Sequence, residues 1–105
     1  MEVAIKDIPR LIKSKVLEID PEAEVILFGS RARGDFRSDS DWDLLVLTNG
    51  ENDFQTKNRI REGLYNIELE SGESFSVLTY SKSVWEQKQK VTPLYEEVKA
   101  EGKHL

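Results

Sequence analysis

Residues 29–43 read Gly29-Ser30-Arg31-Ala32-Arg33-Gly34-Asp35-Phe36-Arg37-Ser38-Asp39-Ser40-Asp41-Trp42-Asp43. The stretch starts where one apolar run stops and ends where another starts, so it reads as the connection between two strands. Before it, Val25-Ile26-Leu27-Phe28 is a short run of β-formers, the pattern of a strand buried on both faces. After it, residues 42–47 form a second such run, closed by the turn signal Thr48-Asn49-Gly50. Gly29-Ser30 opens a turn of small residues, where the backbone can approach a ligand and present N–H groups to an anion. The Ser30 hydroxyl adds a donor for a phosphate oxygen, and Arg31 and Arg33 add positive charge. Taken alone, a Gly-Ser pair serves equally well to end a strand and start a helix.

Asp41 and Asp43 add weight to the anion reading. Residues two apart on a strand project from the same face, which sets two carboxylates side by side while Trp42 points into the core. Like charges held together repel, and a divalent cation relieves that repulsion. Mg²⁺ prefers oxygen ligands and takes one or two carboxylates together with substrate phosphates. The plain alternative is a solvated strand end on which Asp41 caps a turn. Asp35 and Asp39 are expected to serve turns, with Ser38-Asp39-Ser40 bonding to the local backbone, and Arg37 to be a solvated loop charge.

Outward from this stretch the chain alternates. Over residues 5–19, Ile5, Ile8, Leu11, Ile12, Val16 and Ile19 recur at helical spacing, and Asp20-Pro21 breaks the helix. Residues 53–69 put Ile60, Leu64 and Ile67 on one helical face, with Gly72 as terminator. A third strand spans 75–80. Ser81 or Ser83 caps a helix running through Trp85, and Thr92-Pro93 starts a last helix carrying Leu94, Tyr95 and Val98 before Gly102. The order α-β-α-β-α-β-α-α predicts an α/β (α+β) fold, a small sheet packed with helices. Trp42, Phe75, Tyr80, Trp85 and Tyr95 lie in or next to apolar stretches and are expected to pack in the core or an interface. His104 has no partner in sequence and is given no role.

Composition bounds the function. With 105 residues the chain reads as one domain, 1–105, and 38% hydrophobic content supports one modest core, so a partner or an oligomer is expected. The formal charge of −5, from 15 basic and 20 acidic residues, argues against a dedicated nucleic-acid binder. The chain has no Cys, which fits a reducing compartment. The start of the chain lacks the order of a signal peptide, and no apolar run nears the roughly 18 residues of a membrane span. The expectation is a soluble cytoplasmic protein without membrane contact.

Gly-Ser, ten residues, then Asp-x-Asp, with Arg31-Ala32-Arg33-Gly34 between, resembles the signature of the DNA polymerase β-like nucleotidyltransferase superfamily. The short chain is similar to its minimal members from bacteria and archaea, and residues 80–85, Pro93-Leu94-Tyr95 and Glu101-Gly102 look like the C-terminal part of that group. The resemblance implies a mixed sheet packed with helices and an active site at the lip of the first two strands. Gly29, Ser30 and Arg33 would bind the triphosphate of a nucleotide, while Asp41 and Asp43 would be catalytic and hold magnesium in a two-ion site. The implied reaction is attack of an acceptor hydroxyl on the α-phosphate, with pyrophosphate leaving and the cations stabilising the attacking and leaving oxygens. ATP is the expected nucleotide. Minimal members occur beside a helical partner in toxin–antitoxin pairs, and some transfer AMP to it.

The resemblance departs at one position. Active members carry a third carboxylate on a later strand, and Ser76 aligns with it here; Glu73, or less well Glu70, could supply an acid from the strand's beginning. Two functions are therefore weighed. One is a magnesium-dependent transferase acting on a hydroxyl of a protein partner or small molecule. The other is a catalytically weak or inactive binding or regulatory subunit, which Ser76 favours. A polymerase or RNA-processing domain is disfavoured by the acidic balance.

Overall fold

In the computed structural model, which describes residues 7–50, 54–87 and 89–105, the connection 29–41 joins two antiparallel strands. These are β1 (Glu24–Phe28) and β2 (Trp42–Thr48). Helix α1 (Ile8–Ile19) precedes them, α2 (Ser30–Arg33) is a single turn between them, and α3 (Phe54–Ser71) leads to β3 (Phe75–Ser81). The chain continues through α4 (Lys82–Gln87), α5 (Pro93–Glu101) and β4 (Lys103–His104). Among the described residues the strands form one mixed sheet in the order β3-β2-β1-β4, with β2 and β3 parallel and the other pairs antiparallel.

Helix α1 buries Ile8, Ile12 and Val16, one residue per turn, and ends at Asp20, which is extended because Pro21 follows. The Asp20 carboxylate then accepts from the Glu22 N–H at 3.1 Å and from the Asn49 N–H at 2.8 Å. This ties the entry of β1 to the exit of β2. Helix α3 buries Ile60, Leu64 and Ile67 as expected, and Gly72, at φ +76°, stops it with its N–H on the Glu68 carbonyl. The expected contributions of Ile5 and Asp53 to these two helices lie outside the described residues.

Strand alternation divides the core in two. Val25, Leu27, Leu44 and Val46 meet α1 and α3 on one face of the sheet. Ile26, Phe28, Leu45 and Leu47 meet Trp85, Tyr95 and Val98 of α4 and α5 on the other. The second cover is smaller, and along β3 it leaves Ser76 and Leu78 exposed. The aromatics behave as expected: Trp85 and Tyr95 are buried with ring centroids 5.1 Å apart, and Tyr80, Trp42 and Phe75 pack against one or the other cluster. Ser81 accepts from the Val84 N–H and Thr92 from the Tyr95 N–H, the caps expected for the last two helices.

The fold adds a fourth strand, β4, that the sequence does not announce. Two exposed polar residues carry no strand signal, yet Lys103 and His104 pair with Leu27 and Ile26. His104 thereby acquires a neighbour, its Nε2 lying 3.2 Å from Glu24 Oε1 at the surface. Leu44 is fully buried between β1, β3 and the α1–α3 layer. Leu44→Ala is expected to lower the unfolding free energy by about 2–5 kcal/mol, read from urea titration of the two proteins.

Candidate functional site

The register of β1 and β2 builds the site. Phe28 stands opposite Asp43, so the chain leaving β1 through Gly29 passes directly beside the Asp43 carboxylate. A Cβ on Gly29 would lie 2.1 Å from Asp43 Oδ2, and the residue has φ +76°. Both space and backbone angle require glycine. The turn then closes as α2, with the Gly29 carbonyl accepting from the N–H groups of Ala32 and Arg33 at 3.1 and 3.0 Å. Gly34, at φ +92°, ends it by donating to the Ser30 carbonyl. The N–H groups that open the turn have no acceptor within it, and the half-buried Ser30 sits among them.

Asp41 and Asp43 flank Trp42 at the start of β2, on the sheet face that α4 and α5 only partly cover. Asp41 is exposed and accepts from the Ser76 hydroxyl at 3.4 Å; Asp43 is half-buried and stands opposite Ser76 in the parallel β2–β3 ladder. The residue expected to face the aspartate pair therefore does so. Burial, then the charge of Asp41, raises the Asp43 carboxyl above its ordinary range; Arg33 opposes the rise and Glu101 adds to it. Two oxygen-rich carboxylates under mutual repulsion suit a hard divalent cation that also binds substrate phosphates. Among the described residues no three His, Cys, Asp or Glu side chains converge as a ready-made metal cage.

The two arginines of the motif part company. They sit two residues apart on a helical turn, about 200° around its axis, and so face opposite sides. Arg31 turns to the Trp42 side. Its guanidinium is sandwiched 4.4 Å from the Phe36 ring and 4.6 Å from the Trp42 ring. It donates to the carbonyls of Ser38 at 3.3 Å and Ser40 at 3.1 Å and pairs with Glu73 at 3.5 Å. With its side chain 9% exposed, Arg31 locks the loop 34–40 and is not placed to meet a phosphate, contrary to expectation. Arg33 turns to the Asp43 side, where its Nη1 donates to Glu101 at 2.9 Å and its Nε approaches Asp35 at 3.3 Å.

Glu73 does not reach the aspartate pair. It accepts from the Trp42 indole N–H at 2.9 Å, on the side of β2 turned away from Asp41 and Asp43. Glu70 lines a groove between α1 and α3, behind the sheet. Besides Asp41, the acid whose charge reaches Asp43 is Glu101, a smaller influence delivered by α5. Sequence reading placed Glu101 only within the general resemblance; the i-to-j separation of 68 from Arg33 leaves no local signal. Ser40 bonds the local backbone as expected, accepting from the Arg37 N–H at 2.8 Å, whereas Asp35, expected to serve a turn, pairs with the Arg33 side chain.

A model of the nucleotidyltransferase domain family matches residues 9–100. Among solved structures, the fold is similar to a toxin–antitoxin with AMP-PNP, with TM-score 0.62 and 19% identity over 97% of this chain and 72% of that one. It is also similar to a double Asp-to-Glu mutant of the toxin–antitoxin MntA-HpeT, with TM-score 0.61 and 17% identity over the same shares. No curated protein matches the sequence. No helix among the described residues is long and apolar enough to cross a membrane.

The raised Asp43 carboxyl makes a stability prediction. The folded state holds the Asp43 proton more tightly than the unfolded chain, so ionising this group weakens the fold as pH rises through the carboxylate range. Asp43→Asn is therefore expected to melt higher than wild type at neutral pH without divalent cations. The gap should close as the buffer is acidified, and thermal melts across a pH series measure it.

Proposed function

The chain belongs to the nucleotidyltransferase domain family, and we propose that it transfers the nucleotidyl group of a nucleoside triphosphate, ATP in the first instance, to a hydroxyl of a protein partner or small molecule. The observation that carries this reading is the close approach of Gly29 to Asp43. It sets the small-residue turn and the aspartate pair against each other, so that one ligand can touch both. In this reading the Ser30 hydroxyl and the N–H groups at the start of α2 bind phosphate oxygens, and Arg33 adds a guanidinium beside them. Asp41 and Asp43 would hold magnesium, which when bound supplies charge neutralisation to the phosphates.

The chain's own part is then placement. The acceptor oxygen forms a bond to the α-phosphorus, the bond from that phosphorus to the bridging oxygen breaks, and pyrophosphate departs with the electron pair. The acceptor proton is released to solvent, which reaches the site because Asp41, Ser76 and Leu78 are exposed. That same exposure leaves a bound nucleotide uncovered on the β3 side and makes a protein partner the natural source of both cover and acceptor. The similar structures are of toxin–antitoxin proteins, one of them with AMP-PNP, which supports a paired system and an adenine nucleotide; in this reading the chain is the antitoxin and AMP is the transferred group.

A second reading, a nucleotide-binding subunit with little or no turnover, is favoured by Ser76 standing where a third carboxylate would face the pair. Labelling separates the two. With α-labelled ATP, magnesium and the protein encoded next to this one, label should pass to the acceptor, and Asp41→Ala and Asp43→Ala should each abolish it. Label transfer that survives both substitutions sinks the assignment of the pair. Melting stabilised by ATP without pyrophosphate release, whatever the partner, selects the second reading.

A further inference from the structure

Arg33 is held from two directions. Asp35, two residues on, is a local and exposed partner, while Glu101 reaches it from the last residue of α5 and has a side chain only 21% exposed. The backbone fixes Glu101 on both sides. Before it, α5 seats Tyr95 and Val98 in the second core. After it, the Gly102 N–H donates to the Val98 carbonyl at 2.7 Å. A Cβ on Gly102 would meet that carbonyl at 2.5 Å and Ile26 Cγ2 at 2.8 Å, so the chain lies flush on β1. The next two residues pair with β1 as β4, and the Leu105 N–H donates to the Val25 carbonyl.

A solvated ion pair between two free side chains contributes little, because ordering both offsets the attraction. Here one partner is ordered by the backbone beforehand, and the charge-assisted bond at 2.9 Å transmits that order to Arg33. Glu101 also carries a cost, since its negative charge stands near Asp43 and near any bound phosphate. The sign of its effect on a nucleotide depends on which contribution is larger. We propose that Glu101 is a positioning residue of the nucleotide site, fixing the Arg33 guanidinium beside the Gly29–Ser30 turn, with preorganisation outweighing the repulsion from its own charge. The proposal rests on the reading of that turn as the phosphate site.

Two measurements test it. The first is the dissociation constant of a fluorescent ATP analogue with magnesium, for wild type, Glu101→Ala, Glu101→Gln, Arg33→Ala and the double variant Arg33→Ala/Glu101→Ala. Glu101→Ala should weaken binding about tenfold. Glu101→Gln, which keeps an acceptor oxygen for the guanidinium, should restore most of the affinity. In the Arg33→Ala background, removing Glu101 should cost nothing further. Tighter binding in both Glu101 variants would overturn the proposal, because charge repulsion then dominates. Equal losses with and without Arg33 would also overturn it, because Glu101 then acts through the fold at large.

The second measurement needs no nucleotide. Rotation of the Arg33 guanidinium about its Nε–Cζ bond, read from the Nη–H resonances of the free protein, should be slow in wild type and in Glu101→Gln, and fast in Glu101→Ala, because the bond to Glu101 is made by Nη1. An unchanged signal in Glu101→Ala would show that Glu101 does not order Arg33. A wild-type chain that fails to bind the ATP analogue would sink the phosphate reading itself, while the resonance still decides whether Glu101 holds the guanidinium.

Discussion

A missing side chain organises this molecule. Gly29 lies so close to the Asp43 carboxylate that no Cβ fits between them, and its positive φ turns the chain at the same point. The approach follows from antiparallel pairing: once Phe28 stands opposite Asp43, the first residue after β1 must run beside the first residues of β2. Everything charged in the site is arranged around that contact. The aspartates project from one face of β2, α2 sends one arginine to each side, and α5 brings an acid up to the one that faces Asp43. The family assignment agrees with this arrangement, since phosphate transfer relies on placement and charge more than on reactive side chains.

The site is also asymmetric in how firmly its parts are held. On the Trp42 side, Arg31, itself well covered, joins two aromatic rings, two carbonyls and Glu73 into a cluster that anchors the loop between the strands. On the Asp43 side, the carboxylates and Arg33 remain within reach of water. A rigid back and an accessible front suit a surface that must keep its geometry while exchanging ligands. Replacing Arg31 by lysine would lose the planar stacking and the forked donors that make the back rigid.

The features legible in the sequence are those written in near neighbours. The strand of residues 25–28, the glycine turn and the Asp-x-Asp alternation depend on spacing within a few residues, and each stands where it was expected. Ser76 is legible only through the family resemblance, which aligns it with a third carboxylate, and the parallel β2–β3 ladder does set it opposite Asp43. The rest depended on tertiary placement. Nothing in the spacing of Arg31 and Arg33 tells which one meets Trp42 and which meets Asp43. Glu73 precedes β3 and goes to the indole of Trp42. Lys103-His104 becomes a strand only because β1 offers it an unpaired edge, and Glu101 reaches Arg33 through the packing of α5 together with that docking.

The separation along the chain carries a consequence for how the site comes apart. Gly29 and Asp43 are joined by a short closure, whose entropic cost is met by one strand pair. Arg33 and Glu101 are joined by a closure that encloses β2, α3, β3, α4 and most of α5, and its outer end is secured by α5 and the two-residue β4. Short edge strands are among the first elements to open in local fluctuations. Fraying of β4 therefore removes one of the two supports of Glu101 and leaves α5 alone to hold it, while the glycine and the aspartates keep their places. The carboxylate pair shares the lifetime of the sheet, whereas the cation beside it loses part of its support whenever the two-residue strand opens.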